Sequence, residues 1–457
     1  MTSNFSDLNP APHNGLAYRW LRRLIDVRPD EIRALAWSWL YLFCVLSSYY
    51  VIRPIRDEMG VASGVENLPW LFTGTLFGMT VANPPFAALV MKLPRVRFIA
   101  VSYRFFMANL LIFFLLLQAS TTAQSIWVGR VFFIWTSVFN LFVVSIFWAL
   151  MVDVFNAEQG KRLFGFIAAG ATLGGILGSS LTAALVKFVG PTYLLLLSGA
   201  LLELAVFSVR RLSRLSEKLL GGPGQHGQAG LIGGKLLSGL THAFRSPYLV
   251  NLSIYMLLFT ITSTFLYFQQ AAIVNQTITD RMARTQFFAQ IDLLVNILTL
   301  VTQIFLTGRI LSAIGVALTL AILPALSIAG FLTLGLAPTI AIIVLFQVLR
   351  RAGNFAVARP TRETLFTVVQ REDKYKAKSF IDTFIYRAGD QIGAWCYALM
   401  GVLGFGVAGV AFAAIPISAA WLLNGFWLGR KQEKMAVQQR TQQEQPATSP
   451  AQVLAAK

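Results

Sequence analysis

The residues with most capacity for chemistry are arginines and aspartates set where charge is scarce. In the stretch YYVIRPIRDEMG, residues 49–60, a run of nineteen uncharged residues, Ala34 to Ile52, ends and Arg53, Arg56, Asp57 and Glu58 follow around Pro54. Further on, adjacent Arg350 and Arg351, the pair Arg387 and Asp390, and single residues Arg130 and Asp292 lie inside apolar runs, with Asp382 near the start of another. A guanidinium is a planar fork of donors that suits phosphate and carboxylate alike. These groups can therefore hold an anion, and a nearby carboxylate can pair with them or carry a proton. Bond-making chemistry has no comparable signal. The sequence shows no nucleophile with a base at motif spacing, and its glycine-rich stretch GATLGGILG lacks the lysine of a phosphate loop. His13, His226 and His242 are far apart, and Cys44 and Cys396 sit in apolar runs, so neither a metal set nor a disulfide framework is expected. The expectation is a chain that is not an enzyme and takes no metal and no cofactor.

Membrane helices must position these charges. The chain is 56% hydrophobic and 13% charged, with a mean hydropathy of +0.63, against about 25% charged residues in soluble domains. At ~20 apolar residues per span, twelve are predicted: roughly 34–53, 68–91, 98–118, 125–152, 163–188, 191–209, 247–270, 286–307, 311–335, 338–359, 379–403 and 405–429. The net charge of +18 concentrates in the tails and alternate loops. That pattern points to a lipid bilayer with positive loops inside rather than to a nucleic acid polymer. Only Arg53, Arg56, Arg281 and Arg284 fall in the loops on the other side, which places both termini in the cytoplasm. The first 33 residues are polar and basic, so no removable signal peptide is expected.

The stretch GGPGQHGQAG, between basic flanks, makes 211–246 a flexible cytoplasmic linker. It separates a cytoplasmic tail (1–33) and a six-helix bundle (34–210) from a second six-helix bundle (247–430) and a disordered cytoplasmic tail (431–457). The halves echo each other. NAEQGKR after span 4 and REDKYKAK after span 10 each place acids and then Lys or Arg at the start of the next helix. Two related six-helix bundles make an all-α membrane protein of major facilitator type, with a site between the halves near mid-membrane. Gly170, Gly174 and Gly178 lie four apart on one face of span 5, as either tight static packing or a sliding contact between the halves. The prolines of ANPPFAA should kink span 2, and Pro54 should kink or end span 1 at Arg53.

A charge at the bilayer centre costs ~2.5–3.5 kcal/mol, so each embedded one marks a candidate site. At ~1.5 Å per residue, Arg350, Arg351 and Asp390 lie about 18 Å deep, Arg387 about 13 Å, Arg130 about 7 Å and Asp382 about 6 Å. Arg387 and Asp390 share a helix face and can pair. Arg350 and Arg351 have no acid within a helical turn and fit a water-filled cavity that receives an anion. Arg104 and Lys187, nearer helix ends, can snorkel. From the residues alone, Arg53 and Arg56 read either as interfacial anchors or as part of an anion path.

Three stretches carry a family resemblance. YYVIRPIRDEMGVAS resembles the first-helix motif of the ATP/ADP antiporters of plastids and intracellular bacteria, with Arg56–Asp57 at the family's Lys–Asp pair. FWALMVDVFNAEQGKRLF is similar to its span 4–5 junction at Phe147, Trp148, Lys161 and Arg162. FAVARPTRETLF with KYKAKSFID is similar to its span 10–11 junction through Pro360, Thr361, Arg362, Glu363, Lys378 and Asp382. In RAGDQIG, Asp390 stands where the family's lysine is expected. The resemblance implies a monomeric transporter of a bacterial inner membrane that exchanges a nucleotide or other phosphorylated or organic anion.

On that expectation Arg350, Arg351 and Arg387 bind the anion, while Arg53, Arg56 and Arg130 line the outer mouth. Asp292, Asp382 or Asp390 would couple, and Lys161, Arg162, Arg362, Glu363 and Lys378 would gate. Two rivals stay open: a proton-coupled carrier of another organic anion, with Asp292 or Asp390 titrating, and a non-transporting scaffold or sensor with its arginines in structural pairs. Orientation is open to direct measurement. Reporter fusions in 221–245 should report the cytoplasm, and a fusion on the opposite side would invert every depth above.

Overall fold

The computed structural model describes residues 26–29, 31–219, 246–369, 377–378 and 380–444. Most of the linker and both chain ends, as read from the sequence, lie outside them. The described residues form twelve helical spans. In chain order these are α1 (Ile32–Ala62), α2 (Leu68–Lys92), α3 (Arg95–Ala119), α4 (Thr122–Val154), α5 (Ala157–Val189) and α6 (Pro191–Leu219). The second half holds α7 (Pro247–Thr277), α8 (Arg281–Phe305), α9 (Thr307–Leu336), α10 (Ile340–Leu365), α11 (Tyr386–Val402) and α12 (Val407–Glu444). Eleven are long and apolar enough to cross a membrane. The regular part of α11 is only 17 residues, and a π-helical turn, Ile381–Ile385, leads into it. With twelve spans, the described residues begin and end on one side, called here the terminal face.

Apolar packing divides the fold in two and then rejoins it. One core lies wholly within α1–α6 and the segment before them, around Tyr41, Phe132, Phe139 and Phe147. Two more lie within the second half, around Tyr255 and Trp421 and around Phe331 and Phe346. A fourth cluster joins the halves: Leu68, Leu71 and Phe133 meet Phe268, Ala271 and Phe288. These residues stand near the loops opposite the terminal face, so the two bundles are sealed together at that end.

Several boundaries differ from expectation. α1 runs on through Pro54 to Ala62, so of the two expected effects of the proline, a kink or an end, the helix does not end there. A long membrane helix tolerates proline because neighbouring groups re-satisfy the freed carbonyl, and Pro54 is itself buried among other helices. Arg53 and Arg56 therefore sit inside a helix and not in a loop. α2 contains Pro84 and Pro85 within one helix, as its expected span did. α6 reaches Leu219, into the expected linker.

α12 continues to Glu444, well into the tail expected to be disordered, because docking holds it. Met435 and Ala436 pack on the second-half core, and Gln439 donates to the Val368 carbonyl. Glu433 accepts from the Ala317 amide at 3.0 Å, two residues after α9 breaks at Gly315 (φ 74°). A carboxylate there satisfies an amide left open by the break.

The glycine stripe of α5 packs against α1, inside the first half. A Cβ on Gly174 would lie 2.4 Å from the Phe43 carbonyl oxygen, and one on Gly178 2.4 Å from that of Ser47. Static packing explains these glycines; a sliding contact between halves does not. The glycine that faces the other half is Gly175, whose Cβ would meet Asn296. Gly174→Val should therefore lower the melting temperature of the purified protein, at a cost of about 1–3 kcal/mol. Gly165→Ala, with nothing within 4 Å, should leave it unchanged or raise it slightly.

Candidate functional site

The centre of the fold is a carboxylate held by two arginines. Arg53 of α1 places Nη1 2.5 Å from Asp292 Oδ1 of α8. Arg351 of α10 brings Nη2 to 2.8 Å of the same oxygen. The Asp292 side chain is 2% exposed and each arginine 17%. Arg53 lies nine residues before the end of α1 and Asp292 eleven after the start of α8, each about 15 Å from the non-terminal end. That depth is mid-membrane. Close approach is possible because Gly175 presents no side chain to Asn296, one turn along α8 from Asp292. Asp292 Oδ2 is buried with no partner, and Arg351 Nη2, though close, makes no aligned hydrogen bond.

Two neutral pairs lie toward the non-terminal end. Arg56 Nη1 is 3.1 Å from Asp57 Oδ1, and its guanidinium stacks 3.9 Å from the Phe133 ring. Asp57 also accepts from the Tyr267 hydroxyl of the other half at 3.1 Å. On α11, Arg387 and Asp390 form the pair their spacing suggested, at 3.4 Å. Thr264 of α7 donates to Asp390 at 3.4 Å. Gly389 and Gly393 set that contact by letting α11 press against Thr260 and Ile261 of α7. Arg56, Thr75 and Ser137 face Arg387, Asp390 and Gln391 across a cavity of about 40 Å³. At ~10–15 Å³ per water by this measure, it holds a few waters and no nucleotide.

Polar contacts join the halves from mid-depth to the non-terminal end. Besides Arg53–Asp292 and Tyr267–Asp57, Arg281 meets Glu58 at 2.8 Å. Thr73 donates to Gln391 at 2.9 Å and accepts from Trp395, which packs edge-on against Trp70. Gln286 donates to the Ala183 carbonyl. Together with the shared apolar cluster, these close one end of the path between the bundles.

Other expected site residues fall elsewhere. Arg350 does not face the space between the halves: it is 3% exposed inside the second bundle. Its donors go to Ser327, Ser263, Thr262 and the Phe259 carbonyl, and its plane lies near the Phe259 and Trp421 rings. Consecutive residues on a helix point ~100° apart, so only Arg351 of the two reaches the centre. Nor is Arg351 unpaired, because its acid comes from α8 rather than its own helix. Arg130 stays within the first half, donating to the Ser63 carbonyl at 3.3 Å beside Trp127. Arg104 pairs with Glu203 at 2.8 Å, and Lys187 is exposed.

Of the residues expected to gate, Arg162, Arg362, Glu363 and Lys378 bind within their own halves near the terminal face. Arg162 of α5 holds Glu31, just before α1, at 2.9 Å. Burial opposes ionisation of Glu31, but hydrogen bonds from the Arg28 amide, Arg162 and Gln159 outweigh it and hold the carboxyl below its usual range. Lys161 and Asp382 are exposed. Lys378 pairs with Glu363. Arg362 reaches the Met256 sulfur at 2.9 Å and the Phe259 ring. It lies beyond a π-helical segment of α10, Asn354–Ala358, whose extra residue rotates Arg362 onto the side of Arg350. The sequence reading missed Tyr267, Thr264, Thr73, Asn296 and the Glu58–Arg281 pair. Only the unusual run of polar residues in apolar helices could have marked them.

The fold has known counterparts. No family model and no curated protein matches the sequence. Among solved structures, an auto-inhibited POT family peptide transporter aligns with a TM-score of 0.57 at 15% identity, over 87% of this chain and 96% of its own. A mutant of the nucleoside transporter NupG gives 0.54 at 14% identity, over 89% and 99%. A bacterial homologue of the iron transporter ferroportin, in an inward-facing state, gives 0.57 at 12% identity, over 88% and 98%. The fold is of major facilitator type: twelve helices in two six-helix bundles.

If Glu58 and Arg281 help seal the non-terminal end, Glu58→Gln and Arg281→Gln should be coupled. A double-mutant cycle on unfolding in mixed micelles should give about 0.5–1 kcal/mol, kept small by the half-exposure of Arg281. Strict additivity would remove the pair from the seal.

Proposed function

We propose that the chain is a secondary transporter that works by alternating access and carries a small oxyanion, such as a nucleotide or another phosphorylated or organic anion. One observation carries this reading. Arginines from the two opposite bundles meet at mid-membrane on one carboxylate, leaving one positive charge in excess. Buried charge of one sign between two mobile bundles favours a ligand of the other sign. The one-sided closure supports alternating access, because a path sealed at one end must open there to complete a cycle. The three motifs that resemble ATP/ADP antiporters support an anionic substrate and exchange. With Asp390 where that family's lysine is expected, the class is drawn more widely than ATP.

In this reading Arg53, Arg351 and Arg387 receive the anion and Arg56 lies on its way toward the non-terminal side. Asp292 and Asp390 balance them. Arg350 supports the second bundle, and Arg130 braces the α1–α2 connection. Arg162, Arg362, Glu363 and Lys378 hold the terminal-face ends of their own bundles together as these rock, and Lys161 and Asp382 lie exposed on that face. We place the protein as a monomer in a bacterial inner membrane with both termini cytoplasmic.

Binding can be read by thermal shift against nucleotides, sugar phosphates, inorganic phosphate and dicarboxylates, since a ligand of the native state raises apparent stability. At least one oxyanion should raise the melting temperature. Arg53→Gln should weaken that ligand at least tenfold, about 1.4 kcal/mol, while the free protein still folds. Arg350→Gln should do the reverse, lowering the melting temperature of the free protein because four neutral acceptors lose their donor. A ligand that binds Arg53→Gln as tightly as wild type would overturn the assignment. Arg56→Gln should also weaken uptake, with Arg56→Lys retaining part of it.

A further inference from the structure

Asp292 does more than balance charge. Both of its arginines meet a single oxygen, Oδ1, while Oδ2 is buried without a partner. One shared oxygen gives neither guanidinium the two-oxygen grip its fork is built for. The two arginines differ in kind. Arg351 belongs to the same bundle as Asp292 and travels with it, whereas Arg53 belongs to the other. The Arg53–Asp292 bond is also among the deepest of the polar contacts that close the non-terminal end. Separating the bundles there must break it.

We propose that Asp292 stands in for the substrate's anionic group while the site is empty, locking Arg53 of the first bundle to the second. An incoming oxyanion then competes for Arg53 and offers it two oxygens instead of half of one. Arg351 stays behind to neutralise the released carboxylate, so no bare charge is left in the membrane. Release of Arg53 frees the two bundles to part at the non-terminal end. The empty protein, with nothing to replace Asp292, keeps that end shut and cannot return without a load. The consequence is exchange of one anion for another rather than net flow. This deepens the transport reading and rests on it for the ligand, but the lock is a property of the protein without any substrate.

The lock can be tested with no ligand present. Leu71, buried in the cluster that seals the non-terminal end, is replaced by cysteine in a background where Cys44 and Cys396 are alanine. Its reaction with a bulky water-soluble maleimide is followed in detergent. The parent should label slowly, Asp292→Asn at least fivefold faster, and Asp292→Glu close to the parent. Arg53→Gln removes the same bond from the other side and should match Asp292→Asn, which also covers an Asn variant that fails to fold. Equal labelling of parent and Arg53→Gln, with melting temperatures unchanged, would overturn the lock. Because no substrate is used, that outcome leaves the transport reading standing, whereas failure of every oxyanion to bind would not touch the lock.

Discussion

A charge inside a bilayer has to be matched, and the rest of this structure follows from how one match is made. Asp292 and Arg53 sit at mid-membrane on different bundles, where each alone would cost a few kcal/mol on insertion scales. Their contact makes the two halves depend on each other. Arg351 completes the group and leaves one positive charge over. The same economy shapes the neighbouring pairs, Arg56–Asp57 and Arg387–Asp390, which are each neutral and each reach across or toward the opposite half.

Helix packing exists to hold that group. Glycines of α5 bring α1 close within the first bundle, glycines of α11 bring α7 close within the second, and Gly175 lets α8 approach across the boundary. The fourth apolar cluster then seals the end beyond the charges. A sealed end, a charged middle and apolar cores kept separate within each half are the parts a rocking carrier needs. A scaffold would have little use for a boundary whose deepest bond is an ion pair, since well-packed apolar residues can stabilise as much as a buried ion pair.

Much of this was legible in the sequence because apolar runs of about twenty residues report spans directly. The pair Arg387–Asp390 was legible because helix neighbours three apart share a face. The lost information was tertiary. Arg351 looked unpaired because its acid lies on α8, far away in sequence. Arg350 looked like its twin, yet a 100° turn buries it among serines and threonines. Pro54 looked like a kink or a helix end because local rules treat proline as a breaker, whereas neighbouring helices carry α1 past it without an end. Tyr267 and Thr264 carried at most the weak signal of polar residues in an apolar helix, since only their partners' positions give them a role. The resemblance to nucleotide antiporters rests on three short motifs alone, and no family model or curated protein matches the sequence.

Exchange of one anion for another across a membrane is the property on which every role given to these arginines depends. Purified protein in liposomes loaded with an unlabelled oxyanion, diluted into a trace of the same oxyanion carrying a label, gives the most direct reading. The account predicts transient accumulation of label inside, dependent on the internal load and absent with Arg53→Gln. No accumulation for nucleotides, organophosphates, phosphate or dicarboxylates, with protein that is folded and inserted, would contradict it.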